Sequence, residues 1–200
     1  MNSADHQMVF EFFNKISPVS TYLQTEISHL LKTKSFTKGQ SILKMGEVET
    51  HSNFVLKGVV HQFVYDEDTV ITTNLTPGGL PFNSLKSYIE GCPSLEVQEA
   101  ITDVDLLYLE KNDLDALMAK SHEFSYLMYK IHENILLDRE NRMFLLQYRN
   151  PSKRFRLFYE NVERSKGLMG CTPEKFLASY LNMTPQQYSR EKRTLKDFTF

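Results

Sequence analysis

The chain has 200 residues, 41% of them hydrophobic with 14 Phe and 10 Tyr, which is ample for a packed core and excludes intrinsic disorder. No segment approaches the roughly 18 uninterrupted apolar residues that span a bilayer, and the polar start from Met1 to Gln7 lacks the regions of a secretory signal, so the expected compartment is the cytoplasm. The net charge of -2 hides a division: 12 Lys/Arg against 20 Asp/Glu from Met1 to Tyr148, and 11 against 5 from Arg149 to Phe200. A basic end on an acidic body is what an electrostatic phosphate-binding footprint looks like.

Residues Met8 to Lys34 carry two apolar clusters at helical spacing, separated by Ser17-Pro18, and predict two short helices. From Phe36 the pattern changes to short runs, Gln40–Lys44, Asn53–Leu56, Val59–Tyr65, Val70–Leu75, Leu95–Ile101 and Leu106–Leu109, divided by turns such as Lys57-Gly58 and Asp66-Glu67-Asp68. Such a series predicts a small antiparallel sandwich or barrel. In Val59–Tyr65 the side chains of His61, Phe63 and Tyr65 share one face.

After Asn112 the pattern is helical again, with a segment from Glu123 to about Arg149 that is about 37 Å long at 1.5 Å per residue. Its apolar stripe, Phe124, Leu127, Met128, Ile131 and Ile135, is expected to pack on a second copy of itself, with a core helix lying across the barrel as the alternative. Asn150-Pro151 ends it, because the residue before a proline disfavours the helical region. A helix from about Ser152 to Arg164 follows. The expected division is therefore 1–122 for N-terminal helices and barrel, 123–149 for the connecting helix, and 150–200 for a terminal unit.

That unit holds the most specific pattern. Thr172-Pro173 and Thr184-Pro185 each read as a cap followed by a first helical residue, and Thr184 with Gln187 fits a T-x-x-Q capping box. Between them, Asn182 in Leu181-Asn182-Met183 tolerates the left-handed conformation a turn needs. Phe176, Leu177, Tyr180 and Leu181 form one inward face, while Tyr188 and Leu195 are expected to pack inward from the second helix. Thr184, Gln186, Gln187, Ser189, Arg190, Lys192 and Arg193 are the candidate DNA-contacting residues: Arg bonds guanine bidentately, Gln reads adenine, and Ser and Lys hold phosphates. An ordinary solvated helical hairpin is the alternative.

In this order the elements resemble the cyclic-AMP receptor protein/FNR (Crp/Fnr) family of bacterial transcription regulators. The likeness rests on Phe54-Val55-Leu56-Lys57-Gly58-Val59-Val60 and on Ala178 to Pro185 followed by Ser189-Arg190, and spans nearly the whole chain. It implies an α+β protein: an N-terminal double-stranded β-helix, or jelly-roll barrel, then a long dimerisation helix and a C-terminal (winged) helix-turn-helix. It further implies a homodimer on double-stranded DNA, with RNA polymerase as onward partner and a small-molecule effector. Where nucleotide-binding members of the family carry Gly-Glu and Pro-Arg-Ser/Thr-Ala, this chain reads Gly79-Leu80-Pro81-Phe82-Asn83-Ser84-Leu85 and Pro93-Ser94-Leu95-Glu96. The corresponding effector pocket is Phe82, Asn83, Ser84, Ser94 and Leu95, and without the Glu and Arg cyclic AMP is not its expected ligand. An unliganded, always-active regulator is equally compatible. Glu191, at a position usually apolar in the family, and the short remainder after the second helix set the chain apart from the pattern.

No cofactor or metal is expected: Cys92 and Cys171 stand alone, His51 and His61 are far apart, and there is no His-x-His, glycine-rich phosphate loop, G-x-S-x-G or H-E-x-x-H. The two thiols are expected to be reduced and half-buried. A non-catalytic regulator is the expectation. The rival is a ligand- or partner-binding protein on the same scaffold with weak or lost DNA binding.

Overall fold

The computed structural model describes residues 3–162 and 164–196. Two helices open the chain, α1 (Ser3–Ile16) and α2 (Thr21–Leu30), the second capped by the Ser20 hydroxyl accepting from the Leu23 N–H. Eight strands and a short helix follow: β1 (Lys32–Phe36), β2 (Ser41–Leu43), β3 (His51–Lys57), β4 (Val59–Asp66), β5 (Thr69–Pro77), β6 (Pro81–Phe82), α3 (Leu85–Glu90), β7 (Val97–Ala100) and β8 (Val104–Glu110). The strand at 32–36, the two-residue β6 and α3 carry no clear alternating or helical signal, and sequence reasoning misses them.

The strands form two four-stranded antiparallel sheets, ordered β1-β8-β3-β6 and β2-β7-β4-β5. Two antiparallel sheets are the architecture expected from the series of short strands, read as a sandwich or barrel. Val55, Val60, Phe82, Ala100, Val104 and Leu106 form one buried cluster drawn from both sheets. The tight β3–β4 turn requires Gly58 at φ +89°, where a Cβ would stand 2.2 Å from the Asp103 carbonyl oxygen.

Helices α4 (Lys111–Lys120) and α5 (His122–Gln147) come next, α5 capped by the Ser121 hydroxyl accepting from the Phe124 N–H. Here the stripe assigned to dimerisation is corrected. Phe124, Leu127, Met128 and Ile131 are buried in the chain's own core with α1, α2, α4 and the outer face of β3 and β8, and Ile135 packs at its margin. Covering two N-terminal helices and a sheet removes more apolar area than α5 alone shows in its sequence, so the strongest stripe is used internally. Tyr126, Tyr129, Leu136, Leu137, Met143 and Phe144, each more than half exposed, lie on the other side of α5.

The chain ends with α6 (Pro151–Asn161), α7 (Ser165–Cys171), α8 (Glu174–Tyr180) and α9 (Pro185–Lys196). Asn150, expected only as a stop, also caps α6, its side-chain oxygen accepting from Ser152 N–H at 2.9 Å and Lys153 N–H at 3.4 Å. The single predicted helix from 152 to 164 is α6 alone, and α7 is an addition. The Cys92 thiol is half-buried and Cys171 is exposed, so the half-buried reading holds for one of the two. Leu195, expected to pack inward, lies outside the described side chains.

Candidate nucleic-acid interface and sensor cassette

The C-terminal helix pair is built largely as its sequence dictates. Thr184 and Gln187 close the capping box in both directions: the Thr184 N–H donates to Gln187 Oε1 at 2.9 Å and the Gln187 N–H to Thr184 Oγ1 at 3.2 Å. Asn182 turns the chain at φ +51°. Thr172 is a correction: buried at the end of α7, it is that helix's C-terminal cap, and Pro173 precedes α8 without a side-chain cap.

Arg154 is the residue that sequence reasoning missed. Buried in α6, its guanidinium donates to four carbonyls, Leu181 O at 2.8 Å and Asn182 O at 2.6 Å in the turn, and Tyr148 O and Arg149 O at 3.1 Å or less beyond α5. A rigid fork of five N–H donors suits this clustering of orphan carbonyls. Tyr188 packs edge-on against Phe155 behind the turn, its hydroxyl pKa raised by burial and then by Glu174.

With Tyr188 fully buried, α9 turns its opposite face outward. Thr184, Gln186, Arg190 and Arg193 are exposed, Gln187, Ser189 and Lys192 half-exposed, and Gln186, Ser189 and Arg193 line one open groove with Glu174 and Pro185. Two of the cations are engaged: Arg190 donates to Glu191 Oε1 at 3.1 Å and Lys192 to Glu174 Oε1 at 2.9 Å. Among the described residues no strand follows α9, and the wing implied by the resemblance is not among them.

The other face of this unit docks on the outer surface of β4 and β5. Val59, Leu75 and Ile101 share a core with Phe155, Phe158, Leu168, Leu177, Tyr180 and Leu181, and His61 lies between Phe63 (4.7 Å) and Phe176 of α8 (4.8 Å). The Thr72 hydroxyl donates to Ser179 of α8 at 2.7 Å, which leaves its oxygen to accept from His61 Nε2–H at 2.9 Å. Burial, then Lys175, lowers the His61 pKa from 6.5 to about 4. Arg164 closes the joint by donating to Asp138 of α5 (3.0 Å), Asn74 of β5 (3.2 Å) and the Tyr180 hydroxyl of α8 (3.1 Å). Arg142 of α5 adds bonds to the Thr72 and Tyr180 carbonyls.

The five residues expected to form an effector pocket are placed as follows. Phe82 belongs to the core between the sheets, Leu95 is exposed, and the Asn83 carbonyl accepts from Gln62 Nε2 at 3.0 Å. The buried Ser84 and Ser94 hydroxyls bond each other at 2.8 Å. A cavity of about 230 Å³ lies elsewhere, among Lys34, Ile42, Glu47, His51, Asn53 and Tyr108. Among the described residues no three His, Cys, Asp or Glu side chains are grouped to hold a metal ion, and no helix is long and apolar enough to cross a membrane.

Residues 33–121 match the cyclic nucleotide-binding domain family. No protein of curated function matches the chain in sequence. Among solved structures, FixK2 from Bradyrhizobium japonicum is similar at 18% identity and TM-score 0.72 over 84% of this chain and 85% of that one. The c-di-GMP responsive global regulator CLP of Xanthomonas campestris is similar at 13% identity and TM-score 0.64, over 86% and 90%. Thermus thermophilus catabolite activator protein is similar at 18% and 0.53, over 93% and 86%. The chain thus carries a cyclic nucleotide-binding-like domain followed by C-terminal helices, in a fold shared with these proteins.

Residues 83–96, between β6 and β7, form a cassette around α3. Ser84 and Ser94 spend their hydroxyls on each other and on the Glu96 carbonyl, and the charged side chains bonded to this network, Glu49 and Glu96, are anions.

Proposed function

We propose that this chain is a Crp/Fnr-type, sequence-specific DNA-binding transcriptional regulator that acts as a homodimer, with an effector other than cyclic AMP or none. The observation that carries the reading is the exposed face of α9, where Gln186, Ser189, Arg190 and Arg193 face outward from a helix anchored by its capping box and by buried Tyr188. The balance of +6 from Arg149 to Phe200 supplies the non-specific attraction to phosphates, and the polar side chains supply the base contacts. Two fold neighbours, the c-di-GMP responsive global regulator CLP and the catabolite activator protein, favour the same class, which is non-catalytic. The proposal keeps the division at 1–122, 123–149 and 150–200, and RNA polymerase as the onward partner.

Selection from random duplex DNA tests the reading directly, since two recognition helices related by a dyad should recover a two-fold-symmetric consensus. On that site, Arg190→Ala should weaken binding by about 1–3 kcal/mol through loss of a base contact. The rival of a partner-binding scaffold draws on the engagement of Arg190 by Glu191 and of Lys192 by Glu174. Absence of salt-sensitive binding to any fragment would favour it.

A further inference from the structure

Glu49 stands between β2 and β3 in a charged run, Glu47-Val48-Glu49, that reads as a solvated turn, yet it is 2% exposed. Its Oε2 accepts from Gln98 Nε2 on β7 at 2.9 Å and from the Ser84 N–H at 3.3 Å, and its Oε1 accepts from the His51 N–H at 3.0 Å. The Glu49 N–H in turn donates to Ser87 Oγ at 2.9 Å. The nearest cation-capable atom, His51 Nδ1, is 3.8 Å away, beyond hydrogen-bond distance. Donors from three separate segments therefore converge on one buried carboxylate, and its desolvation is offset by neutral N–H groups.

The orientation of Gln98 carries the same message. Fully buried, it directs its amide nitrogen at Glu49 and leaves Oε1 without a partner among the described residues. An amide turned the other way would aim its oxygen at the carboxylate, so the anion sets the rotamer. The far end of the cassette is tied to the same loop, the Gly46 N–H donating to the Ser94 carbonyl and the Ser94 N–H to the Glu47 carbonyl, both at 2.8 Å.

We propose that Glu49 is a tethered anionic ligand of the 83–96 cassette, the chain's own substitute for a diffusible anion, so that the sensor sheets hold one closed arrangement without a small-molecule phosphate. This deepens the effector side of the proposed function and does not depend on α9 reading DNA.

Glu49→Ala removes the atoms of one acetate ion and leaves the donors in place. The variant should melt at least about 5 °C below the unsubstituted chain. Acetate at about a hundred millimolar should restore part of that loss relative to chloride at equal ionic strength, and should leave the unsubstituted chain unchanged. A folded Glu49→Ala protein that ignores acetate, or an equal response of both proteins, overturns the proposal. Glu49→Gln is near-isosteric and keeps the test alive if the alanine variant does not fold. Whichever way its amide turns, an N–H faces an N–H, so its melting temperature should also fall, and an unshifted value counts against the tethered anion. Calorimetric titration of the unsubstituted chain with cyclic AMP and with inorganic phosphate should give no binding heat, and saturable binding of either that moves the Ser84 and Gln98 amide resonances overturns it as well.

Discussion

At the scale of single residues, the turn between α8 and α9 depends on Arg154 more than on its own sequence. Arg154→Lys keeps the charge but loses the fork, so the carbonyls of Leu181, Asn182, Tyr148 and Arg149 compete for fewer donors. Denaturant unfolding should show a loss of about 2–3 kcal/mol, against about 1 kcal/mol for Thr184→Ala, which removes half of an exposed capping box. His61 makes a different prediction. Its folded pKa of about 4 lies below the ordinary 6.5, so the fold favours the neutral ring. That stabilisation is present above pH 6.5 and is lost as pH falls toward 4, because the unfolded chain binds the proton first. Between pH 7.5 and 5 the loss should be about 2 kcal/mol, and it should vanish in His61→Gln.

At the scale of elements, the decisive contact is α8 lying on β5. Its polar side is a relay in which Asn83 and Gln62, Gln62 and Asn74, Asn74 and Arg164, and Arg164 and Tyr180 are successive hydrogen-bonded pairs. It runs from the cassette through the β4–β5 pair to α8, the first helix of the C-terminal pair. Side-chain continuity alone does not transmit a signal; two states with different relays would be required. What the geometry does predict is local stability. In Arg164→Gln, hydrogen exchange should speed up in β5 and α8 together while β1 and β8 stay protected. Acceleration confined to α8 would show that the relay does not couple the two elements.

For the whole molecule, the question is what covers the outer side of α5. Tyr126, Tyr129, Leu136, Leu137, Met143 and Phe144 form an apolar band along one helix, larger than scattered surface residues. In the proposed dimer this band replaces the Phe124 stripe as the contact between copies. Leu136→Glu combined with Phe144→Glu should weaken self-association at least about 100-fold in sedimentation equilibrium while leaving the melting of the monomer nearly unchanged. A dimer of undiminished strength would place the interface elsewhere. The same variant should lose affinity for a two-fold-symmetric DNA site and keep residual affinity for a half-site.

Sequence alone determined what is local. The capping box, the left-handed Asn182, the alternation of His61 and Phe63, and the helical span after His122 follow from backbone preferences and periodicity within a few residues, and the charge division follows from counting. Tertiary structure decided which of two apolar faces of α5 is internal, that Arg154 and Glu49 are buried, and that α8 docks on β5. Each of these depends on surfaces brought together from distant parts of the chain, where desolvation and hydrogen-bond pairing outweigh the solvent-facing reading that a charged residue carries in isolation.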